Sequence, residues 1–222
     1  MSRSARENIF DRQLKLQIEA GKLLDRTSLI EKLEDFGTVH LVGSTALGML
    51  TQRDLDYDVV TKNRINFNSV LSLADELTRQ HSLPEVIVRD NHINDNESLN
   101  PRAVLRSGFG IIEFEQVPLW ERLPSGIFMK ILAEFQEGDE PYRLWRLDIC
   151  FLQQDQQRSL GHRDELARQL TDRDRGRIMQ IKERVARSPE YHRTFSGPDI
   201  YDAVLTHKVR DVQGFFNYLA AR

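Results

Sequence analysis

The chain has 222 residues, 40% of them hydrophobic and 29% charged, with a mean hydropathy of −0.50, which is enough apolar material for one large domain or two small ones. No apolar run approaches the roughly 18 residues of a membrane span, and none follows the N-terminal residues as a signal peptide requires, so a cytoplasmic protein with no membrane partner is expected. The lone Cys150 excludes an internal disulfide or a thiolate zinc site, and a net charge of −3 argues against coating nucleic acid by bulk charge.

Residues 4–20 read as an amphipathic helix carrying Ile9, Phe10, Leu14, Leu16 and Ile18, loosened or ended at Gly21. Ser28-Leu29-Ile30-Glu31 has the form of a capping box and opens a second helix that stops near Gly37. Thr38–Val42 is a short strand running into Gly43-Ser44, and a second strand is centred on Tyr57–Val60. Residues 68–80 have helical spacing (Val70, Leu71, Leu73, Ala74, Leu77), with Asn68 as N-cap. Pro84 opens a strand over Glu85–Val88, the stretch Asp90–Pro101 reads as a loop, and Phe109–Val117 reads as a strand. Ile127–Phe135 and Tyr142–Leu152 are the arms of a hairpin turning at Glu137–Pro141. Beyond residue 160 Leu166, Leu170, Ile178, Ile181 and Val185 form a helical stripe; Ser188-Pro189 and Ser196-Gly197-Pro198 interrupt it before a last helix over Asp199–Leu219. The order predicts an α+β fold with N-terminal helices over 1–37, a mixed-sheet core over 38–155 and a helical C-terminal region over 156–222.

The segment from Leu41 to Val60 carries the chemistry. It reads strand, Gly43-Ser44 turn, short helix, then a strand with alternating Asp54, Asp56 and Asp58. Residues two apart in a strand share a face, so the three acids point together if the strand includes them all. Three like charges on one face repel unless a cation or water offsets them, and carboxylate oxygens suit Mg2+, which also shares substrate phosphates. A glycine after a strand lets a phosphate approach the backbone, and the following helix N-terminus and the Ser44 hydroxyl offer donors. A solvated edge strand or a set of Asx-turns accounts for the acids alone equally well.

Gly-Ser, nine or eleven intervening residues, then Asp-hydrophobic-Asp-hydrophobic resembles the signature of the nucleotidyltransferase superfamily related to DNA polymerase β, over residues 38–152. That superfamily includes antibiotic nucleotidyltransferases, CCA-adding and poly(A) polymerases and protein adenylyltransferases. The resemblance implies a nucleotidyltransferase-like mixed sheet, two metal-binding aspartates and a third carboxylate on a neighbouring strand that takes the proton of the attacking hydroxyl. Asp148, within Leu147-Asp148-Ile149, fits the third place; it can equally be an ion partner of Arg146. Nine residues separate Ser44 from Asp54 and eleven separate it from Asp56, so Asp54/Asp56 and Asp56/Asp58 are rival registers, the first closer to the small-molecule transferases. The resemblance thus implies Asp54, Asp56 and Asp148 as catalytic residues, Asp54, Asp56, Asp58 and Asp148 as ligands of two Mg2+ ions, and Gly43 and Ser44 on the phosphates of ATP or another NTP.

The charge is unevenly divided. Residues 156–222 hold 13 basic and 9 acidic side chains, a balance of +4, which leaves −7 for residues 1–155. A cationic tail closing over bound phosphates and a set of solvated helix faces are both compatible with this division. His207, Lys208 and Arg210 on the last helix are open to the same two readings. His40, His162 and His192 read as packing or surface residues, and Cys150 as a packing residue. The expected function is transfer of a nucleoside monophosphate from an NTP to an acceptor hydroxyl with release of pyrophosphate. A small, antibiotic-like acceptor suits the charge better than nucleic acid. The alternatives are a non-catalytic nucleotide-sensing or toxin–antitoxin partner on the same fold, and a protein or RNA nucleotidyltransferase.

Overall fold

A computed structural model describes residues 3–79, 83–92, 99–118, 125–156, 159–191 and 193–222. In chain order the elements are α1 (Arg3–Thr27), α2 (Leu29–Glu34), β1 (Thr38–Val42), α3 (Gly43–Ala46), β2 (Asp54–Thr61), α4 (Phe67–Thr78), β3 (Glu85–Asp90), β4 (Leu99–Arg106), β5 (Gly110–Pro118), β6 (Ile127–Phe135), β7 (Arg143–Gln153), α5 (Ser159–Gln169), α6 (Asp172–Val185), α7 (Gly197–Leu205) and α8 (Val212–Ala220). The α+β expectation holds. Two compact units form, each from separated stretches of chain: residues 19–43 with 53–160, and residues 1–18 with 44–52 and 161–222.

The first of these units is built on a seven-stranded sheet of order β1-β2-β7-β6-β3-β4-β5. Only the β2–β7 pair is parallel; every other neighbouring pair is antiparallel. The period-2 alternation gives this sheet two different faces. Leu55, Tyr57 and Val59 of β2, Trp145, Leu147 and Ile149 of β7, Met129, Ile131 and Ala133 of β6, and Val86 and Val88 of β3 are all buried. Helix α4 packs against β3 and β4 through Val70, Leu73, Ala74 and Leu77, and Phe67 meets Phe114 edge to face. The Arg26 guanidinium of α1 lies over the Phe135 ring. The opposite face carries Asp54, Asp56, Arg146, Asp148, Lys130 and Arg89, all half-buried.

The other unit is helical. Ile9 of α1, Leu47 and Met49, and residues of α6, α7 and α8, among them Ile178, Met179, Ile181, Ile200, Val204 and Phe215, form its core. A capping box between Ser196 and Asp199 starts α7, and Asp211 caps α8.

Several local expectations are corrected. Helix α1 passes through Gly21 to Thr27, because no neighbour crowds that glycine and the buried positions Leu16, Ala20, Leu23 and Thr27 continue at helical spacing on both sides. Leu14 and Ile18, expected on the buried stripe, are exposed, and Gln13 and Glu19 are buried instead. Ser28 makes no cap: it sits at φ 47°, where its side chain does not reach the helix donors. Asn66, not Asn68, caps α4, its side chain accepting from Asn68 N at 2.8 Å. Strand β2 begins at Asp54, three residues earlier than expected. The stretch from Asp90 was expected to stay a loop through Pro101, yet Leu99–Arg106 is strand β4, paired with both β3 and β5; residues 93–98 lie outside the described set. The expected last helix is two, α7 and α8, parted at Thr206–Asp211, where Lys208 adopts φ 55°. The helix propensity of that stretch gives way to the Asp211 cap and to Lys208 Nζ donating to Leu205 O.

The cap assignment is tested by urea unfolding: Asn66→Ala is expected to cost about 1 kcal/mol, and Asn68→Ala, at an exposed position, less than about 0.5 kcal/mol.

Candidate metal centre

Strands β2 and β7 run parallel with Asp54 opposite Arg146, Asp56 opposite Asp148, and Asp58 opposite Cys150. Neighbouring strands lie about 4.8 Å apart, so this register alone brings carboxylates of different strands together. One oxygen from each of Asp54, Asp56 and Asp148 lies within 4.8 Å of the others, and all three residues are half-buried. Among the described residues this is the acidic group with the spacing of a cation site. Asp58 is not part of it. It is buried, two residues along the strand from Asp56, opposite His40 on β1 and Cys150 on β7.

Arg146 supplies the nearest positive charge. Its Nε and Nη2 donate to Asp54 Oδ1 and Oδ2 at 2.9 and 2.5 Å, a two-pronged pairing, and its Nε lies 3.4 Å from Asp148 Oδ2. Burial disfavours the guanidinium charge, but the hydrogen bonds to Asp54 and the charges of Asp54, Asp148 and Asp56 outweigh it, so its pKa is raised. Both readings of Asp148 made from sequence therefore meet at one place: it belongs to the acidic group and it neighbours Arg146.

Asp148 is the most exceptional of the three acids. Burial pushes its carboxyl pKa up; Arg146 pulls the other way, Asp54 adds to the rise, and Lys130, opposite it on β6, opposes it. Its Oδ1 is fully buried and, among the described residues, has no hydrogen-bond partner. A bare buried carboxylate oxygen costs free energy, and a cation is one group that offsets it.

Gly43 closes another side. It follows β1 at φ +64°, and a Cβ built there would overlap the Asp56 carboxylate. Both the backbone conformation and the close approach of Asp56 exclude a side chain. Ser44 is buried in the one-turn helix α3, and its carbonyl accepts from Met49 N at 2.8 Å. The Cys150 thiol is held in its protonated form by burial and by the charges of Asp58, Asp148 and Asp56, which agrees with a packing role. His207, Lys208 and Arg210 lie in the link between α7 and α8 rather than on a helix, where the His207 ring meets that of Tyr218 at a tilt of 47°. His162 is exposed on α5, and His192 is outside the described residues.

Sequence reading placed the three acids but missed the way Arg146 holds Asp54. The alternation Arg146-Leu147-Asp148 puts the two charges on one face of a strand, which was a usable signal; the choice of Asp54 as partner depends on the β2–β7 register. It missed Glu19 and Arg53 altogether. Glu19 accepts from Arg53 Nε at 2.9 Å across 34 residues of sequence, and no local pattern announces such a pair.

No family model and no curated protein matches the chain. Among solved structures, that of Cid1, described by its RNA terminal uridylyl transferase activity, superposes with a TM-score of 0.55 at 11% identity. The match covers 92% of this chain and 52% of Cid1, so the chain spans about half the length of that protein. The likeness establishes a fold of the nucleotidyltransferase type, as the motif implied. Among the described residues no helix is long and apolar enough to cross a membrane.

The raised pKa of Asp148 has a signed consequence. Below about pH 3 the group is protonated in both folded and unfolded chains and costs nothing. As pH rises the unfolded chain loses this proton first, so the folded state is progressively penalised. With metal removed by EDTA, Asp148→Asn is expected to melt above the wild type at pH 7, and the difference is expected to vanish towards about pH 3. Melting curves across that range check it.

Proposed function

We propose that the chain is a nucleotidyltransferase that moves a nucleoside monophosphate from an NTP to an acceptor hydroxyl, with two Mg2+ ions. The observation that carries this reading is the convergence of Asp54, Asp56 and Asp148 beside Gly43 on a fold of this type. The donors fit a hard divalent cation: all are carboxylate oxygens, and the buried Asp148 Oδ1 has no hydrogen-bond partner among the described residues. Bound there, Mg2+ would neutralise phosphate charge as a Lewis acid.

The chain's own residues divide the remaining work. Asp54 and Asp56 present adjacent carboxylates from one strand, Asp54 oriented by Arg146. Asp148, opposite Asp56 on the neighbouring strand, takes the proton of the acceptor hydroxyl as general base. Gly43 leaves the backbone open to a phosphate, and Ser44 adds a donor beside it. In-line displacement at the α-phosphate needs no covalent protein intermediate, and the only thiol on this face is held protonated.

For the acceptor, a small molecule is the first reading, supported by the net charge of −3. RNA is the second, supported by the likeness to Cid1. Each NTP is incubated with Mg2+ and either a panel of small hydroxylated acceptors or single-stranded RNA, and pyrophosphate release is followed. The small-molecule reading expects turnover without RNA; the RNA reading expects 3′-end extension and an affinity that falls steeply with salt. Asp56→Ala is expected to lose at least about 100-fold in rate in either case, since metal stabilisation of the transition state is worth several kcal/mol. Chelation by EDTA is expected to abolish turnover, and Mg2+ in excess to restore it. Turnover unchanged in Asp56→Ala and in EDTA refutes the metal-dependent mechanism.

A further inference from the structure

Glu19 lies on α1, in the middle of a helix otherwise remote in sequence from the acidic group, yet it is only 8% exposed. Carboxylates are almost never buried to this degree unless paired, and this one is paired twice. Its Oε2 accepts from Arg53 Nε at 2.9 Å and its Oε1 from Arg53 Nη2 at 3.2 Å, while Arg143 Nη1 also donates to Oε1. Arg53 and Arg143 are themselves mostly covered, with side chains 31% and 29% exposed.

What Glu19 grips is the backbone that leads into the two strands of the acidic group. Arg53 is the residue before Asp54, the first residue of β2. The Arg53 carbonyl accepts from Arg146 N at 2.9 Å, and the Arg146 side chain closes back on both oxygens of Asp54. Arg143 is the first residue of β7, the strand that carries Asp148. One carboxylate on α1 therefore ties down the leading ends of both strands that supply the acidic group.

We infer that Glu19 is a positioning residue for the divalent-cation site, acting through Arg53 and Arg143. The inference rests on reading Asp54, Asp56 and Asp148 as that site. Two physical reasons support it. Asp54 is a strand-end residue pushed outward by two neighbouring carboxylates, and the end of a strand frays unless something outside the ladder holds it. Arg53, released from Glu19, becomes a mobile cation one residue from the acids and competes there with a metal ion. Glu19 thus preorganises the ligands and at the same time sequesters a competitor.

The test is Mn2+ titration by calorimetry into metal-stripped, nucleotide-free protein, at a temperature where circular dichroism shows each variant folded. Glu19→Ala is expected to bind Mn2+ about 10–100-fold more weakly than wild type, the range for residues that orient metal ligands. Glu19→Gln, which keeps the shape and one acceptor oxygen, is expected to recover part of that loss. Leu23→Ala, one turn along the same helix at a fully buried position, is the control: it lowers the melting midpoint but is expected to leave Mn2+ affinity within about twofold. Wild-type affinity in Glu19→Ala, or equal losses in Glu19→Ala and Leu23→Ala, overturns the inference. If Glu19→Ala does not fold, Glu19→Gln carries the test alone, a loss of about threefold or more supporting the inference and unchanged affinity overturning it. Asp56→Ala separates the two levels. Mn2+ binding that survives this substitution sinks the cation-site reading itself, whereas binding lost in Asp56→Ala but intact in Glu19→Ala sinks only the role of Glu19.

Discussion

Three carboxylates held within 4.8 Å of one another repel by about 3 kcal/mol per pair at an effective dielectric near 20, and the sheet must hold them against that force. It does so with two devices. The β2–β7 ladder fixes the backbone under Asp56 and Asp148, so those two side chains have few ways to separate. Arg146 then takes Asp54 in a two-pronged grip and reaches Asp148 as well, returning one positive charge to the group. The remaining excess is negative, and among the described residues Asp148 Oδ1 has no hydrogen-bond partner.

The parallel register of β2 and β7 has a second effect. Because the side-chain period is two, the residues alternating with the acids all fall on the opposite face: Leu55 and Tyr57 on β2, Leu147 and Ile149 on β7. Sliding either strand by one residue would bury aspartates among those apolar side chains and expose the core. Burial of the apolar face thus enforces the geometry of the charged face. The antiparallel strands β6, β3, β4 and β5 extend both faces sideways, adding Lys130 directly beside Asp148.

Much of this was legible in sequence because it depends on short-range pattern. The alternation of Asp54, Asp56 and Asp58 is visible residue by residue, as are the apolar arms of the β6–β7 hairpin and the glycine that must precede Ser44. Errors arose where a local signal had a competitor. Ser28 has the composition of a capping box, but its backbone adopts a left-handed conformation that breaks the cap. Asn66 and Asn68 both qualify as caps by type, and only the start of the helix at Phe67 distinguishes them. Strand β4 includes Asn100 and Pro101, poor strand formers, which are strand because β5 pairs with them, Asn100 opposite Val117 and Pro101 opposite Gln116, while β3 joins the ladder from Arg102 onward. In α1 the apolar Leu14 and Ile18 are exposed while Gln13 and Glu19 are buried, so hydrophobicity alone misjudged the inner face.

The sequence by itself determined the fold class, the strand–Gly-Ser–helix–strand order, and the identity of the acids that could meet, since spacing along a strand and the freedom of glycine are properties of a few adjacent residues. Only the tertiary structure decided which acids do meet. Asp54 and Asp58 are equivalent neighbours of Asp56 in the sequence, but register with β7 sets Asp54 opposite Arg146 and Asp58 opposite Cys150, leaving Asp54, Asp56 and Asp148 as the group. It also decided that Glu19 belongs with Arg53 and Arg143, 34 and 124 residues away. Charge pairs of that separation are chosen by the packing of whole elements, and no pattern within one element records them.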